Sequence, residues 1–190
     1  QDRSSAASDV YKRQAQNVVT WGRFAATRHA KRNLIYTQDD DCLVGNINEL
    51  LETFLLDSTS IAHGLKLGHL IHNAENFHAG GQVALVGWGA FFDRRWCRVF
   101  DEYTSEYGED QLLHRKADRI FSLLLGRRHR SIPARVTDLP GASGSESLSV
   151  RSDHMKLTSD AIQRCLPLLR QRQSAESDCD PTVESSEGTG

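Results

Sequence analysis

The sequence predicts an α/β domain, a mixed sheet flanked by helices, on three observations. First, residues 17–21 are β-branched and aromatic, residues 24–30 carry the close-packing Ala25, Ala26 and Ala30, and Asn33-Leu34-Ile35-Tyr36-Thr37 is apolar again. That strand–helix–strand spacing suits a parallel crossover. Second, residues 82–92 form an apolar run containing Val83, Ala84, Leu85 and Val86, which reads as a strand after the Gly80-Gly81 turn. Third, Leu112, Leu113, Ile120, Leu123 and Leu124 make one apolar face over residues 110–125, and Gly126 stops that helix.

The remaining elements fall between these anchors. Ile47, Leu50, Leu51, Phe54 and Leu55 have helical spacing, with Asn46 or Asn48 as cap. Short strands are expected within residues 65–77. Trp96, Val99, Phe100 and Tyr103 predict a helix ending near Gly108, and residues 159–169 a short one. Residues 133–149 are rich in Gly, Ser and Pro, and residues 171–190 are polar and poor in aromatics, so a disordered carboxy-terminal tail is expected.

A chain of 190 residues is long enough for one domain with a core and tails. A formal net charge of -2 offers no electrostatic attraction to nucleic acid or an anionic membrane. Cys42, Cys97, Cys165 and Cys179 stand at neither metal-ligand nor redox spacing, as expected of free thiols in a reducing, cytoplasmic setting. No apolar run reaches membrane-spanning length. Residues 1–14, QDRSSAASDVYKRQ, resemble a translated library adapter, which implies that the natural protein continues upstream of Ala15. The organisation expected is therefore 1–14 non-native, 15–132 a partial domain, 133–170 a loop with a short helix, and 171–190 a tail.

The strand ending at Thr37 runs into Gln38-Asp39-Asp40-Asp41, and a second apolar run, Cys42-Leu43-Val44, follows. Clustered carboxylates repel one another and are costly to desolvate. Such a turn is either a solvated acidic loop or a site for a hard divalent cation, which takes one or two protein carboxylates and fills other positions with phosphate oxygens. The carboxyl ends of strands are where open α/β sheets bind ligands.

Taken in order, Gly22-Arg23-Phe24-Ala25-Ala26, His29-Ala30-Lys31, Leu34-Ile35-Tyr36 and Asp39-Asp40-Asp41 resemble the middle of a GT-A (Rossmann-like) glycosyltransferase of the family 2 type. Ala84-Leu85-Val86-Gly87-Trp88-Gly89-Ala90-Phe91-Phe92 is similar to that family's strand lining the donor and acceptor pocket, and Tyr107-Gly108-Glu109-Asp110 to its later acidic pair. The resemblance spans roughly residues 17–125, and the early nucleotide-binding strands would lie upstream. It implies a partial GT-A domain that moves a sugar from a nucleotide-diphosphate sugar to a carbohydrate or other hydroxyl acceptor, with Mn2+ or Mg2+ as cofactor.

Carried over residue by residue, the resemblance makes Asp41 the direct metal ligand and gives Asp39 the metal, the ribose, or both through water. Asp39, Asp40, Gly87 and Trp88 become candidate donor-binding residues. Asp110 becomes the general base and Glu109 its acceptor-positioning neighbour, or the reverse. His154, in Arg151-Ser152-Asp153-His154, matches a late metal ligand or phosphate contact.

Other clusters carry less. His69, His72 and His78 crowd one stretch, and Glu75-Asn76-Phe77-His78 fits a di-iron helix motif that needs a second copy, which the sequence lacks. Arg94, Arg95 and Arg127-Arg128-His129-Arg130 are solvated faces or phosphate counter-charges. Two other functions fit parts of the sequence: a nucleotide-sugar-binding domain without turnover, and an all-helical interaction domain in which residues 17–37 are helical.

Overall fold

The computed structural model describes residues 19–65, 84, 86–126, 129–133, 135–139 and 152–178. Within them run α1 (Trp21–Thr27), β1 (Leu34–Thr37), β2 (Cys42–Val44), α2 (Ile47–Leu56), β3 (Ile61–Leu65), β4 (Ala90–Asp93), α3 (Val99–Tyr107), α4 (Gln111–Leu125), β5 (His129–Pro133), β6 (Val136–Asp138) and α5 (His154–Asp178). Tight 3-10 turns occupy Val86–Trp88 and Arg94–Arg98. The chain is thus a mixed α/β structure, and the strand at residues 34–37 removes the all-helical alternative.

The main sheet has the order β1-β4-β3-β5. β4 pairs antiparallel with both β1 and β3, whereas β3 and β5 are parallel. A separate antiparallel ribbon joins β2 to β6. Successive side chains on a strand point to opposite faces, and Phe91 and Phe92 on β4 divide the interior accordingly. Phe92 joins the larger core with Trp21, Phe24, Phe100 and Phe121, while Phe91 joins Leu50, Phe54 and Ala62 beneath α2. The larger core is a cluster of edge-on and tilted aromatic rings, with centroids 4.7 Å apart for Trp21–Phe100 and Phe24–Phe121 and 5.1 Å for Phe92–Phe121, separations at which aromatic pairs attract. Helices α1, α3, α4 and α5 therefore cover one face and α2 the other, a three-layer arrangement.

Several expectations hold and several change. α4 begins one residue after Asp110 and ends at Gly126, whose φ of +64° suits a residue without a Cβ. Trp21 belongs to a helix, not a strand, because its indole is buried in the aromatic core beside Phe24, one turn along α1. Among the described residues of the run expected as a strand over 82–92, the strand is Ala90–Asp93, since the Gly87-Trp88-Gly89 segment turns before it. The parallel crossover is replaced by antiparallel β1–β4 pairing. The short helix expected at 159–169 extends over 154–178, carrying residues 171–178 out of the expected tail. Leu157, Ala161, Cys165 and Leu168 lie at helical spacing and face the main core, and Arg172 bonds Glu102 and the Leu124 carbonyl. Pro167 lacks one N–H, yet these contacts hold the helix through it.

Some expectations lie outside the described residues: the 1–14 segment, the strands over 66–77, the Gly80-Gly81 turn, His69, His72, His78, Glu75, Arg127, Arg128, the loop at 140–151 and the tail at 179–190.

The register gathers one end of the sheet. Thr37 lies opposite Ala90, His63 opposite Ala90, and Leu65 opposite Pro133. The carboxyl ends of β1, β3 and β5 and the start of β4 consequently share one edge, where the acidic turn and Gly87-Trp88-Gly89 meet.

Candidate functional site

The acidic turn is held at that edge mainly by backbone. The Asp39 N–H donates to the Gly87 carbonyl at 2.8 Å, and the Leu139 N–H donates to the Asp41 carbonyl at 2.8 Å. The Thr37 hydroxyl donates to the Val86 carbonyl at 2.9 Å, and Gln38 Nε2 closes the turn on the Cys42 carbonyl at 2.7 Å. The Gly64 N–H donates to the Gly89 carbonyl at 3.0 Å, which fastens the tryptophan turn to β3. Cys42 is buried beneath the turn, and desolvation there, with the charges of Asp39 and Asp41, pushes its thiol up.

Asp39 packs directly on Gly87. A Cβ on Gly87 would collide with Asp39 Oδ2 and stand 2.7 Å from its Cγ, so only glycine admits the carboxylate here. The other oxygen, Oδ1, accepts from Arg23 Nη2 at 2.5 Å. Arg23 extends from α1 and places its Nε 3.6 Å from Asp118 Oδ1 on α4. Burial opposes the Arg23 charge, but Asp118 and then Asp39 outweigh it and hold the guanidinium above its ordinary pKa. Asp118 leaves 31% of its side chain open while its Oδ1 is enclosed. Burial pushes its carboxyl up to about 6, Arg23 acting against the shift and Asp39 adding to it. Asp40 and Asp41, by contrast, are exposed.

The second acidic pair is used differently. Asp110 is the N-cap of α4: its Oδ1 accepts from the Leu113 N–H at 2.9 Å, and its Oδ2 accepts from Arg164 Nη1 at 2.5 Å. Glu109 Oε1 accepts from Trp21 Nε1 at 3.0 Å and lies 3.1 Å from His114 Nε2. Asp118 follows Asp110 by eight residues on α4, about 12 Å of helix rise. The structure thus brings Asp39 against Gly87 and links it to Asp118 through Arg23, with Asp40 and Asp41 following in the same turn and Trp88 following Gly87, while Glu109 and Asp110 serve the start of α4.

His154 opens α5 with its Nδ1 3.0 Å from Lys116 Nζ, which also donates to Thr158 Oγ1 at 2.9 Å. Burial lowers the Lys116 ammonium to about 8, Arg119 and Arg115 acting in the same direction. Asp153, beside His154, pairs with Arg115. Arg95 pairs with Asp93, two residues away, at 2.8 Å, and Arg94 Nη1 donates to the Ala30 carbonyl at 2.6 Å, which ties the end of β4 to the segment after α1.

Among the described residues no three His, Cys, Asp or Glu side chains converge as a self-sufficient metal cage. A hard cation that keeps most of its coordination for phosphate oxygens and water takes one or two protein carboxylates; Asp40 and Asp41 are the exposed ones of this turn. Among the described residues no helix is long and apolar enough to cross a membrane.

Arg23 and Asp118 are the site residues that sequence reading missed. The available signal was a charged pair, Asp118-Arg119, set beside the apolar face of α4. Comparison of the chain with protein-family models, with curated proteins and with solved structures gives no match.

Proposed function

We propose that this chain carries a metal-dependent glycosyltransferase domain of GT-A type, acting on a nucleotide-diphosphate sugar and a hydroxyl acceptor. One observation carries the reading: an acidic turn, anchored by its backbone and presenting Asp40 and Asp41, lies against Gly87-Trp88 at the carboxyl ends of β1, β3 and β5. That edge is where α/β sheets take ligands.

Asp41, helped by Asp40, would hold Mn2+ or Mg2+. Such an ion supplies electrostatic stabilisation for the negative charge that develops on a departing diphosphate. Trp88, half-buried beside Gly87, is the aromatic that would meet a sugar ring. Asp110 is the base assigned by the resemblance, and taking an acceptor proton requires Arg164 to release its Oδ2. Asn caps a helix as well as Asp does, so Asp110→Asn separates the two roles: transfer lost with stability kept supports the base, and transfer kept removes it.

The direct test is thermal denaturation of the protein with Mn2+ and a nucleoside diphosphate. Stabilisation in the parent, and none in Asp41→Asn, is expected. No shift in the parent refutes the reading. A second reading, a nucleotide-sugar-binding domain without turnover, draws on the engagement of both Asp110 oxygens. Sugar transfer to any hydroxyl acceptor by the parent eliminates it.

A further inference from the structure

We propose that Arg23 is a positioning residue, an internal cation that removes Asp39 from metal coordination and makes it the brace between the acidic turn and the tryptophan turn, with Asp118 steering the guanidinium. This rests on the functional reading above for its metal arm and on geometry alone for the brace.

The three aspartates of the turn are chemically alike in sequence and unlike in place. Asp39 has one oxygen bonded and the other packed: Oδ1 receives a charge-assisted bond from Arg23 Nη2 at 2.5 Å, and Oδ2 lies against Gly87, where a side chain there would begin. A cation bound to Oδ1 at the usual distance of about 2.1 Å would stand against a guanidinium, and like charges at such range repel strongly. Asp40 and Asp41 face solvent, and the Arg23 charge acts on Asp40 more weakly than on Asp39.

Arg23 is held on its other side by Asp118, whose Oδ1 is 3.6 Å from Nε. The guanidinium therefore links α4, α1 and the turn in one line, Asp118–Arg23–Asp39–Gly87, and sets where the backbone at Gly87 and Trp88 sits relative to Asp41. Disruption of that line frees a third carboxylate for a cation while loosening the tryptophan turn. Metal affinity and turnover then move in opposite directions, which loss of packing alone does not produce.

The experiment has two arms on the full chain. In the first, without metal or nucleotide, urea unfolding of the parent, Arg23→Gln, Asp39→Asn and the double variant gives a double-mutant cycle. A coupling of at least fivefold in the folding equilibrium constant is expected, with Arg23→Lys recovering part of it, and additive effects overturn the brace. In the second, Mn2+ binding is titrated by the electron paramagnetic resonance of the free ion, alone and with UDP or GDP. Asp39→Asn should keep Mn2+ affinity within about threefold of the parent, and Arg23→Gln should tighten Mn2+ alone severalfold while lowering kcat. Equal losses in Asp39→Asn and Asp41→Asn would make Asp39 a direct ligand and overturn the proposal. A parent that binds no Mn2+ under either condition, with the coupling still present, refutes the functional reading and leaves the brace standing.

Discussion

The two acidic segments, Asp39-Asp40-Asp41 after β1 and Glu109-Asp110 before α4, are built from the same residue types but held in opposite ways. The first is fixed through its backbone, by Asp39 N–H to Gly87 and Leu139 N–H to Asp41, which leaves Asp40 and Asp41 turned outward. The second is fixed through its side chains: Asp110 caps α4 and pairs with Arg164, and Glu109 takes the Trp21 indole and His114. A carboxylate that holds a fold together has its lone pairs occupied. One whose neighbours hold the chain in its place keeps them for a ligand. Through its Oδ1 on Arg23, Asp39 belongs with the second group despite its position in the first.

Four measurements break or sharpen this contrast. The largest effect is expected from Asp110→Ala, which removes a cap and the partner of Arg164 together and should lower unfolding stability by about 2–3 kcal/mol in urea. A loss under about 0.5 kcal/mol would show that the pair is not structural. Next, His63 is buried on β3, and desolvation lowers its imidazole to about 4. Because the folded pKa lies below the unfolded one, this contribution is present above about pH 6.5 and is lost as pH falls toward 4. His63→Gln should therefore remove about 2 kcal/mol of the stability loss between pH 7 and pH 4.5, as read by denaturation at both values. An unchanged pH slope would mean that the ring charges freely.

Smaller again, Gly87→Ala forces a Cβ into Asp39 and should cost about 1–2 kcal/mol, because displaced packing relaxes only in part. In the proposed enzyme it should also depress turnover well beyond what that loss of stability explains. Asp41→Asn should change thermal stability least, within about 0.5 kcal/mol, as surface substitutions do, yet abolish the Mn2+ and diphosphate shift. A large intrinsic destabilisation would place Asp41 with the structural carboxylates.

Much of the fold was legible along the chain. α4 was readable because five apolar residues recur on one face and Gly126 follows, and α2 for the same periodic reason. β4 was overextended because a continuous apolar run cannot reveal where paired glycines turn it. α5 was cut short because its later turns are polar and are held from outside by Arg172 on Glu102 and Leu124. Asn46 was a correct cap position with a different use: its side chain bonds Glu49, the Pro133 carbonyl and the Arg135 N–H, tying α2 to the β5–β6 connection.

By itself the sequence determined an α/β chain with an acidic turn after its first apolar strand, because periodicity and clustered charge are local properties written in neighbouring residues. Only the tertiary structure decided which acids are available. Arg23, Asp118 and Gly87 reach Asp39 from distant parts of the chain, and Arg164 reaches Asp110 from α5. Pairing between distant charges depends on how helices and strands pack, and no local pattern in the chain encodes it.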